Sequence, residues 1–274
     1  MTEATFRQFS NFIQSQLGIK MPLSKKTMLQ TRLRKRMRSL RIDSYEAYRE
    51  YVFSPRGQQE IQHMIDSVTT NKTDFFREPR HFDFISEKAV PELIRSRPGD
   101  KAVKASVWSA GCSSGQEPYT LAIVMSELTE IYRNLRFSIL ATDLSTRMLE
   151  KAGKAIYHGE DAEQLPEHLK KKYFLRSKDR SRNRVRIIPE IRSLVTFRQL
   201  NLMADDYGMR EIMDIILCRN VMIYFSRSDQ ERIVNRLCRQ LNPRGYLLIG
   251  HSETLNGLDV PLVQTIATVY RKTS

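Results

Sequence analysis

From residue 103 onward, short apolar runs typical of β-strands alternate with longer segments of helical periodicity. A chain with this alternation folds into a mainly parallel sheet with helices packed on both faces. The pattern predicts strands over 103–108, 137–142, 195–200, 213–218, 245–250 and 265–271, and helices over 117–132, 145–155, 228–241 and 252–258. The helix over 228–241 opens with the capping-box sequence Ser228-Asp229-Gln230-Glu231 and stops at Asn242-Pro243. The predicted fold class is therefore α/β, with a doubly wound, Rossmann-like sheet.

The first 70 residues have a different pattern, because no strand signal appears before residue 100. Phe6, Phe9, Ile13 and Leu17 recur at helical spacing, and Gly18 ends that segment. We therefore expect a small, all-helical N-terminal domain before the α/β domain. The predicted boundaries are 1–70 for the helical domain and 71–274 for the α/β domain, with a linker helix over 71–95.

One segment interrupts the alternation of strands and helices. Residues 172–192, "KYFLRSKDRSRNRVRIIPEIR", have the pattern of a small antiparallel hairpin with a polar loop at 176–184. We therefore expect a β-hairpin insert within the α/β domain.

The first strand of the α/β domain ends in a turn of small residues, "SAGCSSGQEP", that leads directly into a helix. Small residues let the backbone approach a ligand closely, and ligands of open α/β sheets bind at the carboxyl ends of the strands. Glu117 lies in the first helical turn, where it would repel a pyrophosphate and attract a sulfonium or an ammonium. As an alternative, Glu117 only caps the helix.

Further candidate ligand-binding residues follow the other strands. Asp143 ends the second strand, where an acid commonly binds ribose hydroxyls, although it could also simply begin the next helix. Asn201 and Leu202 end the third strand and could meet the edge and face of an adenine. A ribose without phosphate, together with a positive charge, describes S-adenosylmethionine. These residues therefore favour a methyltransferase.

Bulk properties narrow the range of functions. No run of 18 apolar residues exists, so no membrane span or membrane insertion is expected, and the N-terminus has no secretory signal pattern. Three widely separated cysteines and five histidines without metal-ligand spacing favour reduced thiols in the cytoplasm and no metal. A net charge of +14 indicates an acidic partner.

The positive charge is concentrated in two runs. Residues 21–42 hold eight lysines and arginines and no acid, and residues 170–186 hold nine with a single aspartate. A nucleic-acid methyltransferase is therefore a competing interpretation. Against it, enzymes that methylate nucleobase amines usually carry an Asp/Asn-Pro-Pro-aromatic stretch where this chain has Arg219-Asn220-Val221-Met222. The basic runs also lack interleaved aromatic residues for base stacking.

Six stretches together resemble the chemotaxis-receptor glutamate methyltransferases, the CheR family. They are "TTNKTDFFRE" (69–78), "SAGCSSGQEPYTLA" (109–122), "ATDLS" (141–145), "LEKA" (149–152), "CRNVMIYF" (218–225) and "GHSE" (250–253). The resemblance covers almost the whole chain. It implies S-adenosylmethionine-dependent methyl esterification of glutamate side chains on methyl-accepting chemotaxis proteins, with S-adenosylhomocysteine as product.

By motif position, the resemblance also implies residue roles. The implied reaction-centre residues are Arg77 and Tyr224. The implied cofactor-binding residues are Asn71, Thr73, Arg77, Glu117, Asp143, Asn201, Leu202, Arg219 and Asn220. The linker helix over 71–95 would contribute to the cofactor site.

The N-terminal domain would bind the receptor. Receptor methylation regions are helices rich in glutamate, so the basic face of the second predicted helix could attract them through Arg32, Arg34, Lys35 and Arg38. Family members that dock on a receptor's C-terminal tether tend to have a glycine-rich turn in the hairpin. Residues 176–184 contain no glycine, which argues against tether docking. We expect a monomer that does not bind nucleic acid. Another protein methyltransferase with the same cofactor fold and a non-catalytic receptor adaptor are further alternatives.

Overall fold

The N-terminal part of the chain is a bundle of four helices. In the computed structural model, which describes residues 1–99 and 101–273, they are α1 (Glu3–Leu17), α2 (Lys26–Leu40), α3 (Tyr45–Val52) and α4 (Gln58–Val68). Their apolar faces form one core that includes Phe9, Ile13, Leu29 and Tyr48, all with no exposed surface. The predicted spacing of the first helix is confirmed, and Gly18 ends it in the left-handed conformation with φ of 69°.

The segment that links the bundle to the sheet is only partly helical. Residues 69–79 contain no helix, so the helix predicted over 71–95 begins at Arg80. From there α5 (Arg80–Phe84), a π-helical turn (Ile85–Ala89) and α6 (Val90–Ser96) form one helical run. The non-helical start has a local cause, because Phe76 and Glu78 have left-handed backbone with φ of 51° and 57°.

The α/β domain contains a seven-stranded sheet with helices on both faces, as the alternation predicts. Its strands are β1 (Val103–Ala110), β2 (Leu135–Asp143), β6 (Val195–Gln199), β7 (Met213–Cys218), β8 (Leu241–Ile249), β9 (Leu262–Ile266) and β10 (Val269–Lys272). Their order is β6-β2-β1-β7-β8-β10-β9, and β10 runs antiparallel to both of its neighbours. The order reverses between β1 and β7, which places a crevice at their carboxyl ends.

Helices cover both faces of the sheet. They are α7 (Gln116–Ile131), α8 (Thr146–Lys154) and α11 (Arg227–Arg239). Strand β1 directs Ala105 and Val107 into the core beneath α7, and Trp108 and Ala110 into the core beneath α11. Burial on both faces explains why this strand, apart from the exposed Lys104, consists of apolar and small residues.

The predicted hairpin insert is confirmed and gains a third strand. The insert comprises β3 (Ile156–His158), α9 (Glu167–Tyr173), β4 (Phe174–Arg176), β5 (Arg184–Ile187) and α10 (Pro189–Arg192). Strands β4 and β5 form the hairpin, and β3 pairs antiparallel with the other edge of β5. A three-residue strand carries too little periodicity to be recognised from sequence.

Three local predictions are wrong. The predicted strand over 265–271 is two strands, β9 and β10, joined by a tight turn in which Thr268 has φ of 61°. The predicted helix over 252–258 is a loop. Helix α11 is capped by Ser226, not Ser228, because the Ser226 hydroxyl accepts the backbone N–H of Asp229 at 3.1 Å. The helix ends at Arg239, before the predicted stop, and Asn242-Pro243 already belong to strand β8.

None of the helices in the described ranges combines the length and the apolar character needed to cross a bilayer.

Candidate functional site

A cleft of about 390 Å³ opens at the carboxyl ends of β1, β2 and β7, beneath the end of α1 and the start of α2. Its wall includes every residue proposed above for the cofactor or the reaction: Asn71, Thr73, Arg77, Glu117, Asp143, Asn201, Leu202, Arg219, Asn220 and Tyr224. These residues come from five separate stretches of sequence. The topology therefore brings them together at the crevice expected for an open α/β sheet.

The small-residue turn after β1 wraps around the carboxylate of Asp143. Gly111 has φ of 87°, and a Cβ there would meet the Val221 side chain at 2.6 Å, so glycine is required. The backbone N–H groups of Ser113 and Ser145 donate to Asp143 at 2.8 and 2.9 Å. Burial raises the pKa of Asp143, and these two hydrogen bonds oppose that shift. The carboxylate is held in place and keeps lone pairs for ribose hydroxyls.

Arg219, at the end of β7, is a buried cation shared by two carboxylates. It donates to Glu78 at 3.0 Å and to Glu117 at 3.1 Å, and its side chain is only 2% exposed. It also donates to the backbone carbonyl of Arg77 and lies over the ring of Phe82 at 5.5 Å. Arg219 therefore connects the 69–79 segment, helix α7 and the sheet.

The sequence predicted a free carboxylate at Glu117, but the positive charge of Arg219 partly neutralises it. One of its oxygens accepts from Ser109 at 2.7 Å and the other accepts from Arg219. Burial raises the pKa of Glu117, against the lowering effect of the Arg219 charge. For Glu78, burial also favours a higher pKa, but the Arg219 charge and several hydrogen bonds outweigh it and lower the pKa. With both carboxyls ionised, the cluster keeps one negative charge in excess, which suits a cationic ligand.

Glu78 and Glu253 are important residues that the sequence reasoning did not single out. Glu253 accepts backbone N–H bonds from Asn220 at 2.9 Å, Gly250 at 2.6 Å and Ile223 at 3.3 Å. It therefore holds the loop that carries Asn220 and Tyr224. Glu78 ends the motif "TTNKTDFFRE" and Glu253 ends the motif "GHSE". Their position in these motifs was the sequence feature that could have identified them as site residues.

Two histidines lie beside Glu78. The His81 ring is 2% exposed and its Nε2 lies 2.8 Å from the Thr268 hydroxyl, while its Nδ1 lies 3.5 Å from a Glu78 oxygen. Burial, together with the positive charge of Arg219, lowers the pKa of His81 to about 4. The exposed His251 packs against it with ring centroids 5.1 Å apart. His81 is therefore a neutral imidazole at physiological pH.

Residues 69–78 form the rim of the cleft. The Ser113 hydroxyl donates to the backbone carbonyl of Asn71 at 2.9 Å, and the Thr120 hydroxyl accepts the backbone N–H of Phe76 at 3.1 Å. Arg77 stands between the two left-handed residues and donates to the carbonyl of Lys72 at 3.2 Å. This backbone directs Arg77 to the cleft wall.

The structure gives Asn201 contacts that the sequence did not predict. Its amide nitrogen donates to the carbonyl of Gln16 at 2.8 Å, and its amide oxygen accepts the N–H of Met203 at 2.9 Å. Asn201 therefore fastens α1 to the cleft wall, and Leu202, buried at 8% exposure, supplies an apolar surface beside it.

Tyr224 ends a short 3₁₀ turn (Met222–Tyr224) and is half-buried in the cleft wall. Its backbone carbonyl accepts the N–H of Lys20 at 2.9 Å. Just before Lys20, Gly18 packs so closely that a Cβ there would lie 2.6 Å from Met203 and 2.7 Å from the Phe225 ring. The chain after α1 thus fixes the position of Tyr224.

Replacement of Gly18 with alanine is therefore expected to displace Phe225 and with it Tyr224, because the added methyl group has no room. If Tyr224 acts in the reaction proposed below, kcat should fall further in this variant than in a variant that has backbone strain alone. Gly208→Ala is the matched control, since Gly208 also has positive φ (59°) but its added Cβ would meet no atom within 4 Å. Both variants carry backbone strain of about 1 kcal/mol. Thermal unfolding and kcat, measured for both variants, therefore distinguish the effect of strain from the effect of displacing Tyr224. Equal kcat in the two variants would contradict this role for Gly18.

Only one of the four basic residues assigned to the receptor surface lies in the cleft. Arg32 is half-buried, donates to the carbonyl of Val68 and to the Thr70 hydroxyl at 2.8 Å, and lines the cleft. Its placement corrects the expectation of an exposed steering residue. Arg34, Lys35 and Arg38 are exposed on α2, and none of them has an ion-pair partner within the described part of the chain.

Known proteins resemble this chain over nearly its full length. Residues 4–69 match the CheR methyltransferase all-alpha domain, and residues 71–270 match the CheR methyltransferase SAM binding domain. The chemotaxis protein methyltransferase of Klebsiella aerogenes is 38% identical over 271 residues, covering 98% of this chain and 90% of that protein. That of Escherichia coli is 35% identical over 270 residues, covering 98% and 91%. Chemotaxis protein methyltransferase 2 of Pseudomonas aeruginosa is 36% identical over 252 residues, covering 92% and 87%.

These matches account for the helical bundle, the seven-stranded sheet and the residues gathered at its crevice: the chain belongs to the CheR methyltransferase family.

Proposed function

We propose that the protein transfers a methyl group from S-adenosylmethionine to glutamate side chains of methyl-accepting chemotaxis receptors. The observation that carries the proposal is the cleft, where a fixed acid at the end of β2 and an excess carboxylate beside β1 face one cavity. The similarity to chemotaxis protein methyltransferases supports the receptor as partner. The reaction would occur in the cytoplasm, in keeping with three free, buried cysteines.

The residues present fit this cofactor. Asp143 would accept the ribose hydroxyls, and Leu202 would pack against the adenine. Glu117 and its partner Arg219 would face the positively charged part of the cofactor, with Asn71, Thr73 and Asn220 along the wall. When bound, the cofactor supplies an activated methyl group on a positively charged sulfur.

The substrate side needs positioning more than proton transfer. A glutamate carboxylate has a reference pKa of about 4.3, so it reaches the cleft already ionised and needs no general base. Arg77 can hold a carboxylate bidentately, most simply the one at the methionine end of the cofactor. Tyr224 can donate one hydrogen bond to the substrate carboxylate and fix its direction. Exclusion of water by the cleft walls and alignment for in-line attack would supply most of the rate increase.

Tyr224→Phe is expected to leave cofactor affinity unchanged and to reduce turnover by roughly tenfold to a hundredfold, because only an orienting hydrogen bond is lost. Steady-state kinetics on receptor and calorimetry with cofactor are the measurements. Wild-type kcat/KM in the variant would make Tyr224 a packing residue.

The exposed basic residues of α2 would attract the acidic receptor helix. Reversal of two of them, Arg34→Glu with Arg38→Glu, is expected to raise KM for receptor and to flatten the fall of kcat/KM with added salt, because such attraction is screened over about 8 Å at physiological ionic strength. Stability should change little, since exposed charges usually contribute less than about 1 kcal/mol.

The matched control is Arg133→Glu with Arg239→Glu, which changes the net charge equally at two exposed positions that do not line the cleft. If both double variants show the same salt slope, net charge and not the α2 surface governs the encounter.

The decisive test of function is transfer of radiolabelled methyl from S-adenosylmethionine to receptor, followed by release as methanol in base, which identifies a carboxyl methyl ester. Label on RNA or DNA instead would support the nucleic-acid methyltransferase. Cofactor binding and receptor binding without transfer would support a non-catalytic adaptor.

A further inference from the structure

Three side chains converge beside the cleft in a way that the proposed reaction does not use. Glu78, buried His81 and exposed His251 offer ligand atoms that all lie within 4.8 Å of one another. The His81 Nδ1 lies 3.5 Å from Glu78 Oε2, and the His251 Nε2 lies 3.9 Å from the same oxygen. The three residues come from the 69–79 segment, α5 and the loop after β8, so the fold alone creates the cluster.

The tautomer of His81 follows from its surroundings. The Thr268 hydroxyl donates to the carbonyl of Ala267 at 2.7 Å, which leaves its oxygen lone pairs to accept from the Nε2 of His81 at 2.8 Å. With Nε2 donating to Thr268, Nδ1 presents the lone pair of the ring. That Nδ1 is buried and has no hydrogen-bond partner among the described residues. It faces a Glu78 oxygen at 3.5 Å that already accepts from Arg219, so two acceptors face each other and the imidazole nitrogen has no donor.

Such an arrangement requires a cation or a donor between its members. We propose that Glu78, His81 and His251 bind a divalent transition-metal ion of the Zn²⁺ class at the edge of the cofactor cleft. Two imidazole nitrogens and one carboxylate oxygen are a common donor set for such ions, with a water molecule in the fourth position. A histidine that binds a metal through one ring nitrogen usually donates a hydrogen bond from the other, which fixes the orientation of the ring. The hydrogen bond from His81 to Thr268 would have this role.

The distances suit this ion after small movements. Tetrahedral ligands about 2.0–2.1 Å from zinc lie roughly 3.3 Å from one another. The His81–Glu78 separation of 3.5 Å is already close to that value. The His251 side chain is 50% exposed in a loop, so it can move closer without disturbing the core.

The neighbouring charges permit a cation despite Arg219. Arg219 donates to the same Glu78 oxygen at 3.0 Å, which weakens that oxygen as a ligand. Glu117 pairs with Arg219 on its other side at 3.1 Å. The metal ion would therefore bind next to two carboxylates and one guanidinium. A metal on Glu78 would compete with Arg219 and with Asn220, whose amide donates to Glu78 at 3.3 Å. Because both residues line the cleft, their release would weaken cofactor binding.

The test uses the untagged, full-length protein, freed of metal by chelator, with Zn²⁺ alone and then Co²⁺ as a spectroscopic probe. We expect uptake of one Zn²⁺ per chain by calorimetry and a visible Co²⁺ absorption typical of four-coordinate N/O sites. His251→Ala should weaken Zn²⁺ binding by about tenfold or more, and His63→Ala, a change at an exposed histidine outside the cluster, should not.

His251 is the primary variant because its exposed side chain can be removed without opening the core, whereas His81→Gln could affect folding. Absence of Zn²⁺ uptake would overturn the proposal and leave a water molecule as the group between the acceptors. Equal Zn²⁺ binding by His251→Ala and wild type would also overturn it. Neither measurement uses methyl transfer, so the outcome is independent of the proposed function.

Discussion

Replacement of Arg219 with methionine is expected to destabilise the protein by about 3–5 kcal/mol, because it leaves buried carboxylates without their partner. The guanidinium is 2% exposed and holds Glu78 and Glu117, which are 11% and 14% exposed. Water therefore cannot replace the lost contacts. Methionine keeps most of the side-chain volume, so the measured loss reports on charge and hydrogen bonding and less on a cavity.

Arg236→Met is the matched control. Arg236 is also buried, with its side chain 9% exposed, but its partner Asp205 is 97% exposed and can be rehydrated when the arginine is lost. Denaturant unfolding of both variants should show a clearly smaller loss for Arg236→Met. A loss of similar size at the two positions would mean that burial of the arginine stem, and not the unpaired carboxylates, determines the cost.

The stability of the Arg219→Met variant should also depend on pH. In the wild type, the lowered pKa of Glu78 means that its contribution to stability is present above the unfolded-state value of about 4.3 and is lost as the pH falls. Without Arg219, burial should raise the pKa of both Glu78 and Glu117 above the unfolded value, so the variant loses stability as the pH rises. The difference in free energy of unfolding between variant and wild type should therefore be larger at pH 8 than at pH 5.

The second large effect is on cofactor affinity. Asp143→Ala is expected to weaken binding of S-adenosylmethionine on the order of a hundredfold or more, since two hydrogen bonds to a charged acceptor contribute about 1.5–3 kcal/mol each. The variant also leaves the N–H groups of Ser113 and Ser145 without their acceptor. Calorimetry at a temperature where the variant is fully folded measures the affinity.

Ser145→Ala is the matched control for Asp143→Ala. It distinguishes the loss of a contact with the cofactor from a general loosening of the loop after β2. Ser145 caps α8 by accepting the N–H of Met148 at 3.3 Å, so its loss should cost about 1 kcal/mol of stability while Asp143 stays in place. We expect its cofactor affinity to remain near that of the wild type. Equal weakening by Asp143→Ala and Ser145→Ala would place the ribose elsewhere in the cleft.

The sequence determined the parts of this protein that depend on local pattern. Apolar periodicity was sufficient for the all-helical character of the first 70 residues, the central strands and the helices between them, because burial on one or both faces imposes that periodicity on the residues. Helix α3 was not predicted. The glycine turn and Asp143 were also readable, since the carboxyl end of a strand in an open sheet faces the crevice whatever the rest of the chain does. The resemblance in the motifs then directed attention to Arg77 and Tyr224.

Only the tertiary structure decided the partners of the side chains in the cleft. Glu117 was expected to face a ligand with a free charge, yet it shares Arg219 with Glu78; Asn201 is held by Gln16, and Arg32 turns inward to Val68. His81 and His251, far apart in sequence, meet only because α5 and the loop after β8 pack together. Local pattern specifies which face a residue takes, but a buried polar group bonds to whatever the packed chain brings within about 3 Å, and that depends on all the elements at once.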